Sequence, residues 1–510
     1  MIEKRFNLID EQWIPVVQKE LASIRQIFTD KSITALGGNP VEKIAVLKLL
    51  LAIAQSAYTP KDEKDWKELG PEGMCNKVLN YLNEQYDAFW LYGDRPFLQM
   101  PEIEKAQKKN YGALLPMVST GNTTVLTQIN IEKTLNDAEK ALLLLQLMGF
   151  PLGGKKTDNS VALTPGYQGK SKAGKPGPSL GYMGFLHSFI FGYSLIDTVW
   201  INLFSQSILN EIGIYPESLG VAPWEKMPKG EDDDIARALK KSYIGRLIPL
   251  SRFLLLKEDG IHYSEGISHL DYKDGFFDPS IAIDFSLKIP KVIWATTDKK
   301  PWRQLPSLLS FMGRNYNNFK CIQLEITVRR MKNFESFTVW SGGAQISSNA
   351  GEQYFSGNDD FIESEVQLSS ALFSNESQFF ANLHNEMEYM EQLDYVLKKC
   401  VQSYFDSITN NQSNSKNKSE IGKKYARIAS FLYWQLCERN FQELVRKCSE
   451  NETGEKARAM RKIFEENAYK AFDLYCPNQT ARQLEAWAST RPRFWGNMRN
   501  KKKEAEVQNG

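Results

Sequence analysis

The last third of the chain carries apolar residues at three- and four-residue steps, which is the spacing of amphipathic helices. The first stripe runs over residues 383–408, and a second over 421–436 follows a polar linker at 410–419. A third stripe covers 460–475 and a fourth covers 481–495. Four such helices separated by short polar loops predict a C-terminal four-helix bundle.

The front part of the chain mixes helical spacing with short extended runs. Apolar residues recur with helical spacing over 41–58, and shorter helical patterns cover 76–86 and 138–147. Residues 186–208 are apolar enough to predict buried helices. From 244 to 339, short apolar runs bounded by glycine, proline or charged turns are typical of β-structure.

These patterns predict the fold class and the domain organisation. At 510 residues the chain exceeds what a single hydrophobic core normally supports. The expected fold class is α+β, with a large mixed α/β domain over residues 1–370 followed by the four-helix bundle over 375–500. The last residues, 501–510, are expected to form a basic polar tail.

Composition and charge narrow the functional classes. A hydrophobic content of 42% and a charged content of 24% are ordinary for a globular protein. The formal net charge of +2 excludes a polycation, so any nucleic-acid contact must come from locally concentrated charge. The six cysteines form no CxxC pair, and no apolar run approaches the roughly 20 residues that span a bilayer. We therefore expect a cytoplasmic protein with reduced thiols and no membrane partner.

Residues 153–184, which we call the glycine–lysine stretch, contain eight glycines and five lysines, and Asp158 is their only acid. Glycine lets a backbone approach another polymer closely and adopt positive φ, and lysine supplies charge for phosphate. Loops longer than about 12–15 residues in a compact domain are usually functional or disordered. The residues alone leave two interpretations open, a solvated linker and a nucleic-acid-binding loop.

Catalytic and metal-binding motifs are missing from the sequence. The four histidines show no HExxH spacing, and a GxSxG nucleophile elbow is absent. Residues 169–171 resemble the end of a phosphate-binding loop, but Thr164 stands where that motif requires glycine. The acidic run at 232–234 is typical of solvated surface. We therefore predict no catalytic residue, no metal and no cofactor.

Two segments near the amino terminus resemble a known protein family. They are residues 6–16, FNLIDEQWIPV, and residues 95–101, RPFLQMP. Both resemble segments of the large subunit of the type I-E CRISPR surveillance complex, Cascade, which is the CasA-type family. The agreement continues in the same order through the glycine–lysine stretch and the terminal bundle, so it covers essentially the full length.

The resemblance implies a non-catalytic subunit of an RNA-guided antiviral CRISPR complex. In that family the large subunit recognises the protospacer-adjacent motif in duplex DNA from the minor groove, promotes strand separation for the R-loop, and recruits the helicase-nuclease. The implied partners are double-stranded target DNA, the 5′ handle of the CRISPR RNA, the backbone and small subunits of Cascade, and the helicase-nuclease effector. Two alternatives stay open, an unrecognised nucleic-acid-processing enzyme and a pure protein scaffold.

The resemblance also places three DNA-reading elements of the family on this sequence. The glycine loop falls on residues 165–170, and its predicted DNA-binding residues are Gly166, Tyr167, Gln168, Gly169, Lys170 and Lys172. The lysine finger maps to Lys273, for which a merely solvated lysine is the alternative. The wedge falls on the hairpin after residues 341–343, and its polar candidates are Gln345, Ser347, Ser348 and Asn349. An ordinary exposed hairpin tip is the alternative for the wedge.

A further loop, residues 118–125, corresponds to the family's segment that contacts the RNA handle and a neighbouring backbone subunit. Its predicted contact residues are Ser119, Thr120, Gly121 and Asn122. Small and hydroxylated side chains suit close packing on phosphate and backbone. Some relatives carry a cysteine cluster before the lysine finger that could bind zinc. This sequence has none there, so a structural metal is not transferred.

Overall fold

A computed structural model describes most of the chain, and backbone proximity divides it into two compact units. The described residues are 3–114, 133–153, 157–158, 160–167, 183–270, 272–313, 319–349, 352–355, 360–408, 415–450 and 455–494. Unit 1 comprises Met1–Phe311, Asn318–Asn333 and Phe337–Val366. Unit 2 comprises Met312–Asn317, Phe334–Ser336 and Gln367–Gly510.

The helices of the described residues range from single turns in unit 1 to long rods in unit 2. In chain order they are α1 Ile24–Thr29, α2 Pro40–Ala57, α3 Glu63–Glu84, α4 Asp137–Gly149, α5 Leu195–Asn202, α6 Gln206–Ile212, α7 Asp234–Lys240, α8 Ile244–Leu247, α9 Leu305–Leu308, α10 Ile322–Arg330, α11 Glu376–Ile408, α12 Ser415–Ser449, α13 Glu455–Tyr475 and α14 Ala481–Thr490.

The strands of the described residues are short, and their named pairs are antiparallel. In chain order they are β1 Arg5–Asn7, β2 Ile14–Pro15, β3 Leu21–Ala22, β4 Trp90–Tyr92, β5 Lys108–Lys109, β6 His187–Phe191, β7 Arg252–Leu256, β8 Ile261–Glu265, β9 Ile283–Asp284, β10 Lys291–Val292, β11 Phe319–Lys320, β12 Ser336–Ala344, β13 Ser347–Asn349, β14 Glu352–Tyr354 and β15 Phe361–Ser369.

Helix α2 lies in the core of unit 1. The Asn39 side chain accepts hydrogen bonds from the N–H groups of Val41 and Glu42, and the Glu42 carboxylate accepts one from the Asn39 N–H. This capping box and Pro40 at the first position fix where the helix begins. Because α2 is apolar on almost every side, it is buried on almost every side. The predicted span, 41–58, differs from the observed one by a single residue at each end.

The prediction of buried helices over residues 186–208 was wrong for the first part of that segment. Residues 187–191 form β6, which pairs with β12 from His187↔Gly342 to Phe191↔Thr338. A short apolar run does not by itself distinguish a strand from a buried helix, and phenylalanine and isoleucine favour strands. Helix α5 begins only after Ser194, whose hydroxyl accepts from the Asp197 N–H in a capping box.

Helix α3 is longer than the pattern predicted. The sequence indicated a helix over 76–86, but α3 begins at Glu63, where the Asp62 side chain caps the N–H groups of the first turn. The Gly70-Pro71 pair is typical of a break. In the structure Gly70 takes a φ of +59°, and a second helical segment continues directly beyond this kink.

Unit 2 confirms the predicted four-helix bundle. Helix α11 packs against α12, α13 and α14, and α12 packs against α13. The apolar stripe predicted on α11 is buried, including Leu383, Leu393 and Leu397. Two predicted boundaries were wrong: α12 begins at Ser415 inside the predicted linker, and α14 ends at Thr490, before a proline.

Small antiparallel sheets in unit 1 position the candidate site. Strand β8 lies between β5 and β7, β12 lies between β15 and β6, and β9 lies between β10 and β11. Isolated bridges, Phe185↔Trp294 and His187↔Ile281, join the start of β6 to segments beside β9 and β10. Mixed sheets and helices followed by a helical unit confirm the predicted α+β fold class.

Candidate nucleic-acid interface

The structure describes the two ends of the glycine–lysine stretch and one turn within it. The predicted DNA contacts Gln168, Gly169, Lys170 and Lys172 lie outside the described residues, as do the predicted RNA and subunit contacts Ser119, Thr120, Gly121 and Asn122. Those assignments stay predictions. Gly166 and Tyr167 are described, so the geometry of the site is built from them.

The first half of the stretch is fixed to strand β8. The Asp158 N–H donates to the Tyr263 carbonyl at 2.9 Å, and the Ser264 hydroxyl donates to the Asp158 carbonyl at 2.7 Å. The Asp158 carboxylate accepts from the Ser160 hydroxyl and from the Gln107 N–H. These hydrogen bonds, that from Ser160 first, hold the pKa of Asp158 below its usual value. The stretch therefore starts from an ordered support.

Residues 164–167 form a tight turn that exposes backbone. The Tyr167 N–H donates to the Thr164 carbonyl at 3.1 Å, and Gly166 has a φ of +72°. Proline at the second position and positive-φ glycine at the third are typical of a type II turn. Pro165 and Gly166 are exposed, and a Cβ added to Gly166 would meet no atom within 4 Å. At Gly166 the turn presents bare main chain to its surroundings.

A buried carboxylate holds this turn in place. Glu231 is 0% exposed and accepts from the Leu163 N–H at 3.0 Å and the Thr164 N–H at 2.7 Å. The Asp232 N–H donates to the Thr164 hydroxyl at 3.1 Å. A Cβ on Gly230 would lie 2.9 Å from the Thr164 nitrogen and overlap its hydroxyl, so glycine permits this close approach. We call Gly230, Glu231 and Asp232 the anchor segment.

The far end of the stretch is packed against Trp294. The Ala295 N–H donates to the Gly184 carbonyl at 2.9 Å. A Cβ on Gly184 would lie 2.5 Å from Cζ3 of Trp294 and 3.2 Å from Cδ1 of Ile346. Glycine is therefore required where the chain leaves the stretch, because the indole ring occupies the space of a side chain.

The predicted wedge hairpin is bonded to the beginning of the stretch. Strands β13 and β14 pair from Ser347↔Tyr354 to Asn349↔Glu352, with Ser348 opposite Gln353. The Gln353 N–H donates to the Gly153 carbonyl, and the Gly153 N–H donates to Oε1 of Gln353, both at 2.8 Å. With Ile346 beside Gly184, this hairpin touches both ends of the glycine–lysine stretch.

Gln345, one of the wedge candidates, has its side-chain oxygen engaged within the protein. Its Oε1 accepts from the Thr297 N–H at 2.8 Å and from the hydroxyls of Thr297 and Thr296. Gln345 is half-buried, and Ser347 lies at the first position of β13. The structure thus gives Gln345 a role in fixing the base of the hairpin, and the identity of the wedge stays a prediction.

Lys273 lies on an exposed turn that touches the same group of elements. The Tyr272 ring meets the Phe185 ring edge to face, with 5.9 Å between ring centres. The Lys273 side chain is exposed, and its Nζ lies 5.7 Å from the centre of the Tyr272 ring. Gly275 closes the turn with a φ of +84°. Phe185 follows the last residue of the stretch, so Lys273 lies near its end.

The glycine–lysine stretch, the Lys273 turn and the wedge hairpin therefore converge on one region of unit 1. Sequence reasoning missed the residues that bring them together, Glu231, Trp294 and Gln353. The acidic run at 232–234 was interpreted as solvated surface, and that was incomplete. Asp233 caps α7, and Asp232 pairs with Lys240 at 2.9 Å. A glycine directly before a glutamate was the available signal of a close, buried approach.

The described residues add three negative observations. Within them, no group of three histidine, cysteine, aspartate or glutamate side chains is arranged to hold a metal ion. None of the helices in those parts of the chain is long and apolar enough to cross a membrane. All six cysteines are free thiols.

Comparisons with known proteins agree with this architecture. The family model for CRISPR-associated protein Cse1 matches residues 7–471. CRISPR-associated protein CasA/Cse1 of Thermus thermophilus is 23% identical over 526 residues, covering 97% of this chain and 93% of that protein. The solved structure of Thermus thermophilus CasA (Cse1) superposes with a TM-score of 0.72 at 20% identity, covering 96% of this chain and 98% of that one.

A chain of a CRISPR RNA-guided surveillance complex is also similar in fold, with a TM-score of 0.69 at 13% identity, covering 96% of this chain and 99% of that one. Fold and converging loops together define an α+β protein with a helical C-terminal unit and a backbone-presenting turn. The chain belongs to the Cse1 family of CRISPR-associated proteins, over nearly its whole length. This confirms the family resemblance seen in the opening segments of the sequence.

Proposed function

We propose that this chain is the non-catalytic large subunit of an RNA-guided CRISPR surveillance complex. In this proposal it recognises the protospacer-adjacent motif in duplex DNA from the minor groove, promotes strand separation and recruits a helicase-nuclease. The observation that carries the proposal is the exposed turn at Gly166, held from behind by the buried Glu231. Membership of the Cse1 family supports it.

The geometry of the turn suits a minor groove. That groove is only about 6 Å wide in B-DNA, so a backbone without side chains enters more easily than a bulky surface. Gly166 offers such a backbone, because its surroundings are open out to 4 Å. Donors and acceptors in the minor groove form a degenerate code, so recognition from this side tolerates related motifs.

Charge supports a polyanionic partner at the same place. The stretch holds five lysines against one acid, and Asp158, that acid, is turned into hydrogen bonds with Ser160 and Gln107. Lys273 adds an exposed cation beside the end of the stretch. Phosphate contacts position a protein on duplex DNA, and groove contacts then provide selectivity.

The remaining partners follow from family membership. We infer that the loop at 118–125, with Ser119, Thr120, Gly121 and Asn122, contacts the 5′ handle of the CRISPR RNA and a backbone subunit. The helical unit is assigned to contacts with the small subunits. The helicase-nuclease is the effector that this subunit recruits.

Replacing Gly166 with asparagine tests the groove contact. Asparagine tolerates positive φ, and the open space around Gly166 accepts its side chain, so the turn is retained. The added side chain would meet the groove wall. We expect motif-dependent binding by the reconstituted complex to weaken by roughly 10-fold or more, the scale of one lost specific contact. Filter binding with motif and non-motif duplexes measures it.

The matched control for this substitution is Gly70→Asn. Gly70 also has positive φ, +59°, and also has no atom within 4 Å of an added Cβ. It lies in the kink of α3, so its substitution is expected to leave binding unchanged. Unimpaired motif selection by the Gly166→Asn complex would remove this turn from the DNA interface.

Lys273→Ala tests the phosphate contact. Loss of one phosphate contact lowers the magnitude of the slope of log K against log salt by about 0.9 for duplex DNA. We expect that change with motif and non-motif duplexes alike, measured by titration at several salt concentrations. Lys67→Ala, which removes another exposed lysine on α3, is the control. An unchanged slope for Lys273→Ala would mean that Lys273 is merely solvated.

A further inference from the structure

Trp294 is 50% exposed, although it lies where the glycine–lysine stretch meets the wedge hairpin. Tryptophan has a large apolar area and is highly buried on average. No role in the family resemblance falls on this residue. Its exposed half is a candidate binding surface.

The indole ring is held rigidly from one side. Its atoms Cζ3 and Cε3 lie 2.5 and 2.7 Å from where a Cβ on Gly184 would be, so the ring rests directly against main chain. The Phe185 ring meets it at 79° with 4.9 Å between ring centres. A backbone bridge pairs Phe185 with Trp294. A ring fixed in this way loses little conformational freedom when something stacks on it.

The surroundings of the ring suit a nucleotide. Gly184 is the last residue of a stretch with five lysines and one acid. Ile346, at the start of the wedge hairpin, approaches the same space at Gly184 that the indole occupies. Lys273 adjoins Tyr272, whose ring contacts Phe185. A flat aromatic surface beside concentrated positive charge is the combination that binds single-stranded nucleic acid.

We propose that Trp294 is a stacking platform for an unpaired nucleobase, the base that leaves the duplex beside the motif when the strands separate. This inference rests on the proposed function and deepens it, because it names a ligand for the opened strand. Every nucleobase has a π-face, so stacking holds the opened strand without demanding a particular base. The hairpin separates the strands, and Trp294 prevents the freed base from pairing again.

The test compares three side chains at this position in the full chain, assembled with its guide RNA and partner subunits. Trp294→Phe keeps an aromatic ring, whereas Trp294→Leu keeps apolar bulk and removes stacking. We expect the phenylalanine variant to bind motif-bearing target within about 3-fold of wild type and the leucine variant to bind roughly 5- to 100-fold more weakly. Tyr193→Leu, at a 65% exposed aromatic residue before α5, is the control and is expected to bind as wild type does.

A photocross-link reads the contact directly. With 5-iododeoxyuridine at the first unpaired position, the wild-type complex is expected to give a cross-linked peptide that contains Trp294. Equal affinity of the leucine variant and wild type would overturn the proposal, and so would equal losses in the leucine and phenylalanine variants. A cross-link confined to other peptides would also overturn it.

The same titrations separate this inference from the proposed function. If the wild-type complex binds duplexes equally with any flanking sequence, the proposed motif recognition fails. If wild type depends on the motif and the leucine variant matches it, recognition stands and only the stacking platform is wrong. Thermal unfolding of each variant, expected to match wild type, confirms that the packing around Gly184 is retained.

Discussion

Replacing Glu231 with alanine is expected to abolish motif-dependent DNA binding while leaving assembly with the guide RNA intact. The substitution removes the acceptor of the Leu163 and Thr164 N–H groups. Hydrogen bonds to a carboxylate contribute about 1.5–3 kcal/mol each, so two losses lower the population of the held turn by roughly 100-fold or more. Apparent affinity falls with the competent fraction. Binding titrations with motif and non-motif duplexes measure the effect.

Two matched variants sharpen the test of the anchor segment. Glu231→Gln keeps one carbonyl acceptor and is expected to lose less binding than Glu231→Ala. Asp234→Ala removes a fully exposed carboxylate from the same acidic run and is expected to bind as wild type does. Hydrogen exchange at Leu163 and Thr164 should accelerate in the alanine variant. Normal motif selection despite that acceleration would contradict the role of the held turn.

Replacing Lys48 with methionine is expected to destabilise unit 1 strongly. Lys48 and Asp278 form an ion pair in which both side chains are 2% exposed. Removing one partner leaves the other charge buried and unpaired, which costs about 3–5 kcal/mol. The free energy of unfolding, measured by urea titration, should fall by that amount. Lys67→Met, at an exposed position on α3, is the control and should change it little.

The buried pair supports the site through a chain of hydrogen bonds. The Asp278 carboxylate accepts from the Ser280 N–H at 2.8 Å, and the Ser280 hydroxyl bonds to Nδ1 of His187 at 2.8 Å. This fixes residues 278–280 against β6, just after the stretch ends. The double variant Lys48→Met with Asp278→Asn removes both charges and keeps an acceptor for Ser280. Its cost should be well below the sum of the single costs, and full additivity would contradict coupling.

The same pair sets a dependence of stability on pH. Burial alone would raise the pKa of the Asp278 carboxyl, but the Lys48 ammonium beside it holds that pKa below its usual value. A carboxyl with a lowered folded-state pKa contributes stability above its unfolded pKa of about 3.9, and this stability is lost as the pH falls toward the folded value. Wild type should therefore lose this contribution below about pH 4, and Lys48→Met should lack it.

Much of the fold was predictable because its signals are local. The amphipathic stripes of unit 2 predict the bundle, and Asn39 followed by Pro40 marks the start of α2. The error at residues 187–191 has a physical reason: a short apolar segment satisfies either a buried helix or a central strand. Its pairing with β12, about 150 residues later, decides between them.

The candidate site was predictable only in its separate parts. The composition of residues 153–184 and the family resemblance identify the loops, but their convergence depends on contacts distant in sequence. Gly153 and Gln353 are 200 residues apart, and Leu163 and Glu231 are 68 apart. Trp294 carries no local signal, because a tryptophan in an apolar run is usually core. Its exposure becomes visible only when Gly184 is placed against one edge of the ring.

A selection from target duplexes with randomised flanking sequence tests the central claim most directly. It is run with the reconstituted complex containing either the wild-type chain or the Gly166→Asn chain. We predict that wild type enriches a short motif beside the target and that the Gly166→Asn complex enriches it far less, with guide-RNA assembly equal in both. Recovery of random flanks by the wild-type complex would contradict the claim that this protein reads DNA through its exposed glycine turn.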